Sequence, residues 1–115
     1  INQDRKKNGV KTLTLDPLLN YVAWHHSADM AKRKFFAHVN PSGENPNQRF
    51  WKKGGRGNVG ENIAQDLSVE AAYQRLMNSP GHRANILQAD YTHMGIGVYF
   101  DNKSYYITQM FQSKK

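Results

Sequence analysis

Two histidines and a glutamate stand out because each lies at a predicted boundary between structural elements. His38 follows the end of a predicted helix, Glu61 ends the long loop that begins there, and His82 lies in the first turn of a short predicted helix. Boundaries of this kind often carry functional side chains. Imidazoles and a carboxylate could bind a divalent cation or act as base and acid. The two histidines are far apart in sequence, unlike those of an HExxH motif, so spacing leaves open whether they share a site or each bonds its local backbone.

The other histidines have simpler interpretations. His26 falls on the apolar face of the first long predicted helix, which predicts a core histidine with satisfied hydrogen bonds. His25 is predicted to point away from that face, into solvent. His93 begins a predicted strand, and the sequence assigns it no functional role.

Size and composition predict one globular domain over residues 1–115, with 38% hydrophobic and 22% charged residues. The chain has no cysteine, so disulfides and thiolate metal sites are excluded, and a metal would need histidine, carboxylate or water ligands. The formal net charge of +7 favours the binding of polyanions. The basic residues are scattered and accompany no nucleic-acid motif, so we expect no specific nucleic-acid binding. Weak contact with anionic cell-wall polymers or lipid headgroups is the alternative.

No transmembrane segment is predicted, because no run of about 18 apolar residues is present. No internal repeat or low-complexity tract occurs either. The chain begins at Ile1 and not at methionine, so we expect a processed piece from which an upstream targeting segment has been removed.

The first half of the chain reads as one long helix followed by a long loop. Residues 1–14 are polar and are predicted to lie over the surface. The stretch LDPLLNYVAWHHSADMAKRKFF has apolar residues at helical spacing and an N-cap at Asp16, which together predict a helix. Residues 37–60 are rich in glycine, asparagine and proline, and are predicted to form an ordered loop with one helical turn at 47–52.

The second half mixes helices and strands. Residues 61–65 are predicted to be a short strand, and SVEAAYQRLMN a helix capped by Ser68. Ser79 and Pro80 begin a new short helix, with Ser79 as its cap. HMGIGVYFDNKSYYITQMF is predicted to form a hairpin with apolar side chains on both faces. Because both faces need covering, the predicted fold is α+β, a three-layer α-β-α sandwich with a mainly antiparallel central sheet.

Five motifs in this order carry a family resemblance: FFAHVNPSGENP, GENIAQ, NSPGHRANIL, MGIGVYF and YYITQMF. From about Leu13 to Phe111 the sequence resembles the bacterial, cysteine-free branch of the CAP superfamily, also called the SCP domain. Its relatives include cysteine-rich secretory proteins, antigen 5 and plant pathogenesis-related proteins. The resemblance implies an α-β-α sandwich that is secreted, or lipid-anchored at the cell surface through the removed segment. It also implies a central cleft with two histidines and acidic residues, which in some members binds zinc or another divalent ion.

Carried over by motif, the resemblance makes His38 and His82 the cleft histidines and metal ligands, and Glu61 a cleft glutamate. The chain departs from many eukaryotic members at Ser79, where those have a second glutamate three residues before the second histidine. Ser79 and Asn62 are the remaining predicted cleft residues. With an incomplete acidic set, zinc or another divalent ion would bind weakly. A structural alternative stays open, in which the carboxylate accepts hydrogen bonds from both rings and braces the loop against the sheet.

Two pairs of residues in the family motifs have structural interpretations. Asn62 and Asn85 are predicted to tie loops together and not to touch a ligand. Gly95 and Gly97 are predicted to allow another backbone to approach closely beside the cleft.

Three functions are compatible with these residues. The first, which we expect, is a monomeric, non-enzymatic module that binds a divalent ion and a small ligand: a lipid, a peptide or a cell-wall component. The second is a metal-assisted hydrolase or peptidase in which Glu61 is the catalytic general base acting on a metal-bound water. For this second function, the sequence offers no evident third protein ligand for the metal and no evident donor for an oxyanion. The third is a structural module whose cleft only braces the loop.

Overall fold

The computed structural model describes residues 1–114, and this part of the chain contains five helices and four strands. The helices are α1 (Asn2–Lys7), α2 (Pro17–Arg33), α3 (Pro46–Lys52), α4 (Val69–Asn78) and α5 (Pro80–Ile86). The strands are β1 (Thr14–Leu15), β2 (Gly60–Asp66), β3 (His93–Phe100) and β4 (Tyr105–Gln112). No helix within residues 1–114 has the length and apolar character needed to cross a membrane.

The strands form one mixed, mainly antiparallel sheet in the order β1-β3-β4-β2. β3 and β4 form the predicted hairpin, which runs from the pair Phe100–Tyr105 at the turn to His93–Gln112 at the open end. β2 pairs antiparallel with β4, and β1 pairs parallel with β3. β2 therefore forms one edge of the sheet, where its side chains can take part in a site.

Helices cover both faces of the sheet, because the side chains of β4 alternate between two apolar layers. Ile107 and Phe111 pack with residues of α4 and α5. Tyr106 and Met110 pack on the other face, with residues of α2 and α3. The predicted α+β three-layer sandwich is confirmed.

Gly95 and Gly97 allow α2 to lie directly on β3. A Cβ atom at Gly95 would lie 2.1 Å from the carbonyl carbon of Leu19, and one at Gly97 would lie 2.0 Å from the backbone nitrogen of Trp24. Both separations are far below van der Waals contact, so no larger residue fits without moving the helix. The predicted close backbone approach is confirmed, but its predicted place beside the cleft is not, because neither these glycines nor α2 lines the histidine cleft described below.

The long predicted helix is α2, and it is shorter than expected. Asp16 caps it as predicted, since its carboxylate accepts two backbone N–H groups of the first turn. The helix ends at Arg33 because Lys34 adopts the left-handed conformation, with φ of 57°. Phe36 is therefore outside the helix, where it lines a cleft described below.

The shorter helices follow the sequence signals more closely. The helical turn predicted in the long loop is α3, whose first turn is closed by a capping box between Asn45 and Gln48. Ser68 caps α4 by accepting the backbone N–H of Ala71. The predicted extended segment at 61–65 lies within β2.

The prediction that residues 1–14 lie over the surface is wrong for Arg5 of α1, although the rest of this helix is exposed or partly exposed. Arg5 in this helix is completely buried. Its guanidinium donates to the backbone carbonyl groups of Lys11 at 2.6 Å, Ile86 at 2.9 Å and Gln88 at 3.0 Å. An arginine in a polar stretch reads as a surface residue, but backbone carbonyls can satisfy its N–H donors inside the fold. Arg5 thereby joins α1 to the C-terminal end of α5.

Candidate functional site

Glu61 lies on β2, and its carboxylate is buried, with 1% of the side chain exposed. Arg49 of α3 donates through Nη2 to both carboxylate oxygens, at 2.8 and 3.0 Å. His38 Nδ1 lies 2.9 Å from Oε1 of the same carboxylate. A buried charge is costly unless it is paired and hydrogen-bonded, and these contacts meet that requirement. Glu61 therefore connects the sheet to α3 and to the start of the long loop.

His38 is oriented by this carboxylate. Because a carboxylate can only accept, the neutral ring donates its Nδ1–H to Glu61 and presents the lone pair of Nε2. Arg49 also donates to the backbone carbonyl of His38, at 2.9 Å, so both the ring and its backbone are held. The His38 side chain is 49% exposed and can be reached by a ligand.

His82 lies in the first turn of α5, as predicted, and its ring bonds Ser79. Nδ1 of His82 is 2.9 Å from the Ser79 hydroxyl. Ser79 occupies the predicted N-cap position, but its side chain makes no hydrogen bond to the helix backbone. The predicted cap is therefore correct in position and wrong in its hydrogen bond, because the hydroxyl engages the imidazole.

Asn62 follows Glu61 on β2 and so points to the opposite face of the sheet, toward α5. Its side-chain amide donates to the backbone carbonyl of His82 at 3.0 Å and to Gln109 at 3.1 Å, and its carbonyl accepts from Asn85 at 2.9 Å. The prediction that Asn62 and Asn85 tie segments together is confirmed. Asn62 holds the backbone of His82 much as Arg49 holds that of His38.

The two histidines line one cleft of about 730 Å³ at the β2 edge of the sheet. Ser79 lines it as well. Other lining side chains are the apolar Phe36, Ile63 and Leu76 and the polar Gln65, Arg75 and Asn78. Within residues 1–114, the Glu61 carboxylate bonds His38 and not His82. The structure thus brings His38 and His82 to a common hollow, with Glu61 directly joined to one of them.

The cleft offers a metal two imidazole nitrogens. In each ring the bond to the protein is made through Nδ1, which leaves Nε2 for a ligand. Metal-binding histidines typically have this arrangement, with the second ring nitrogen fixed by an oxygen. Among residues 1–114, however, no three histidine, aspartate or glutamate side chains form a set that could hold an ion. The described residues therefore form no closed structural zinc site, and an ion held by the two histidines would need water or ligand at its other positions.

His26 adds a fourth group to the Glu61 cluster. It is buried on α2, with Nε2 at 2.9 Å from the carbonyl oxygen of Ala37 and 4.0 Å from the Glu61 carboxylate. Burial lowers the pKa of His26 below its ordinary value, and this outweighs the nearby Glu61 carboxylate, which raises the pKa. The prediction of a core histidine is confirmed. The predicted satisfaction of its hydrogen bonds is only partly correct, because Nε2 is bonded whereas the buried Nδ1 has no partner among the described residues.

Arg49 is the residue at this site that sequence reasoning missed. It lies in a basic stretch where a single arginine reads as a solvated charge, yet its side chain is only 8% exposed. Its neighbour Phe50 is buried, which places this turn of α3 against the core. The one available signal was indirect, because a glutamate predicted inside a fold requires a cation nearby.

Comparison with known proteins agrees with this geometry. Residues 1–111 match the cysteine-rich secretory protein family, CAP. The chain is 36% identical to the uncharacterized protein YkwD of Bacillus subtilis, over 98% of this chain and 44% of that protein. The structure resembles an extracellular protein containing an SCP domain from Bacillus anthracis, with a TM-score of 0.88 and 35% identity over 98% of this chain and 37% of that one. A more distant fold match is NaASP2, crystallised with Zn²⁺, with a TM-score of 0.58 and 16% identity over 90% of this chain and 61% of that one.

The chain spans less than half the length of these two Bacillus relatives. The motifs that carry the resemblance also supply the cleft: His38 lies in FFAHVNPSGENP, Glu61 in GENIAQ and His82 in NSPGHRANIL. The family match covers nearly the whole sequence, and the fold is shared with a bacterial homologue of extracellular type. The chain therefore belongs to the cysteine-rich secretory protein (CAP) family.

Proposed function

We propose that this CAP domain is a monomeric, non-enzymatic binding module, secreted or held at the cell surface, whose cleft takes a divalent cation and a small ligand. One observation carries the proposal. His38 and His82 line a single cleft, and each uses Nδ1 for a bond within the protein, so that Nε2 is available to an ion. The extracellular relative supports the location, and the zinc-containing relative makes zinc the first ion to test.

The ligand we expect is amphipathic. The cleft has a volume typical of small-molecule sites, and its walls mix apolar side chains with polar ones. Phe36 is 50% exposed at the wall and offers a ring to an apolar group. A bound cation would favour an anionic end. A lipid, an acidic peptide or a cell-wall fragment has this combination.

We favour binding over hydrolysis because of the position of Glu61. A general base must reach the water that it activates. The Glu61 carboxylate is buried and is engaged by both Arg49 and His38. Its contacts suit a residue that positions His38 better than one that accepts protons from solvent.

Titration calorimetry with zinc chloride tests the cation site. We expect weak binding to the unaltered domain and no measurable binding to His38→Ala or His82→Ala. His25→Ala is the matched control, because His25 is exposed on α2 outside the cleft and its loss should leave zinc binding unchanged. Circular dichroism verifies that each variant is folded.

A thermal measurement separates this proposal from the bracing alternative. An ion that binds the native state at ten times its Kd raises the free energy of unfolding by about 1.4 kcal/mol. If zinc leaves the melting temperature unchanged while His38→Ala, which removes the ring that bonds Glu61, lowers it strongly, the cleft only braces the loop. Peptide hydrolysis that depends on zinc and disappears in Glu61→Gln would contradict the non-enzymatic proposal.

A further inference from the structure

The outward face of α2 carries aromatic side chains that the core does not use. Tyr21 is 48% exposed and Trp24 is 43% exposed. The two residues are three positions apart on a helix and therefore lie on the same side of it. The opposite side of α2 is buried against the sheet, so this face points away from the protein.

A third ring and two lysines lie next to these aromatic side chains. The ring of Trp24 meets that of Tyr99 edge to face, with centroids 6.2 Å apart. The ammonium of Lys32 lies 5.6 Å from the centroid of Tyr99, and that of Lys53 lies 5.9 Å from the centroid of Tyr21. We call Lys53, Tyr21, Trp24, Tyr99 and Lys32 the aromatic–basic strip.

The charge of the strip is not neutralised by its surroundings. Among residues 1–114, neither Lys32 nor Lys53 forms a salt bridge. The neighbouring cations are already paired, Arg33 with Asp29 and Lys52 with Glu44. The strip therefore has two available positive charges, on a chain whose net charge is +7.

We propose that the aromatic–basic strip binds a linear phosphodiester polymer built from sugar or polyol units, laid along α2. The ammonium groups of Lys32 and Lys53 contact phosphates, and the exposed ring surface of Tyr21 and Trp24 packs on the carbon skeleton of the repeating unit. A surface that combines aromatic rings with two lysines that are unpaired within residues 1–114 suits a polymer in which charged and uncharged groups alternate.

A polymer fits the strip better than a lipid bilayer does. Tyr21 and Trp24 are about half covered by their neighbours, and a lysine ammonium lies over the ring of Tyr21 and over that of Tyr99. Rings held close to the protein surface can stack on a ligand that lies on that surface. Insertion into a bilayer interface would require rings that project from the surface.

The strip is independent of the histidine cleft. Tyr99 has the same strand parity as Gly95 and Gly97, and so belongs to the face of β3 that α2 covers. His82 lies on α5, which packs on the other face. Failure of the zinc experiment would therefore leave this inference standing, and the converse also holds.

Calorimetry with poly(glycerol phosphate) of defined length, repeated at several salt concentrations, tests the inference. The double variant Lys32→Gln/Lys53→Gln should lower the salt slope of log K by about 1.4, by analogy with two phosphate contacts on a single strand. Lys6→Gln/Lys7→Gln removes the same charge from exposed positions on α1 and should leave that slope nearly unchanged.

A second matched pair of variants tests the contribution of the aromatic rings to polymer binding. Trp24→Ala should weaken binding about five- to tenfold. Phe100→Ala, at an exposed ring outside the strip, should change it less than twofold. His82→Ala should bind the polymer normally.

Three results would overturn the inference. Equal weakening by the two lysine pairs would mean that only net charge matters. Equal affinity for the polymer and for a DNA strand of the same charge would mean nonspecific polyanion binding. Tighter binding to phosphatidylglycerol vesicles, with a blue shift of tryptophan fluorescence that Trp24→Ala abolishes, would make the strip a bilayer contact.

Discussion

The Glu61–Arg49 pair should be a main determinant of stability as well as of cleft geometry. Glu61→Gln keeps the size of the side chain and removes its charge. The Arg49 guanidinium, 8% exposed, would then be buried without its counter-ion. Breaking a buried pair by removing one partner costs about 3–5 kcal/mol. Because the glutamine carbonyl can still accept one N–H of Arg49, we expect a loss near the lower end, about 3 kcal/mol.

Urea and thermal denaturation measure this loss. In a domain of this size, 3 kcal/mol corresponds to a drop of about 12 °C in Tm. Glu44→Gln is the matched control, because Glu44 pairs at 3.2 Å with Lys52, whose side chain is 67% exposed. Exposed pairs contribute less than about 1 kcal/mol, so the control should remain close to the unaltered domain.

A double-mutant cycle with Arg49→Met shows whether the reasoning holds. If the two charges stabilise each other, the double variant Glu61→Gln/Arg49→Met should be more stable than the sum of the single losses predicts, by at least about 1 kcal/mol. A Glu61→Gln loss no larger than that of Glu44→Gln, or additive losses in the cycle, would refute the view that Glu61 is held by a buried ion pair.

Three further changes probe the layers around the site. Gly97→Ala should lower the free energy of unfolding by about 2 kcal/mol or more in urea denaturation, since its Cβ would meet the backbone of α2, whereas Gly81→Ala has open space and should cost nothing. Arg5→Met leaves buried carbonyls without a donor; we expect a loss of about 2–4 kcal/mol and faster hydrogen exchange at the end of α5. Since burial lowers the pKa of His26, protonation favours the unfolded chain, so in EDTA the stability should fall as pH drops below about 6.5. His26→Asn should flatten that dependence and His25→Asn should not.

Local sequence signals were sufficient to predict where a helix begins when a capping residue stands at its start. Asp16 before Pro17 and Ser68 before a periodic stretch located the starts of α2 and α4, because a cap acts within a few residues. The end of α2 was less predictable. Lys34 adopts the left-handed backbone conformation that glycine usually adopts at the end of a helix. A lysine does not signal this conformation in the sequence, so the predicted helix was too long.

The site was predictable as a set of residue types and not as a set of contacts. The motifs gave His38, Glu61 and His82, but not that Glu61 bonds only one of the two rings. That distinction depends on the register of β2, which turns Glu61 and Asn62 to opposite faces. Arg49 and Arg5 were missed for a related reason. Whether an arginine is buried depends on partners from distant segments, which a local pattern cannot reveal.

The position of Arg5 also bears on the order in which the polypeptide can assemble. Its bond to Ile86 spans 81 residues of sequence. A ribosome releases α1 long before the carbonyl groups of Ile86 and Gln88, which accept from this guanidinium, have been synthesised. Until then the guanidinium must stay hydrated and α1 cannot dock. Attachment of the first helix is therefore a late event in biogenesis, and contacts of such long range slow folding.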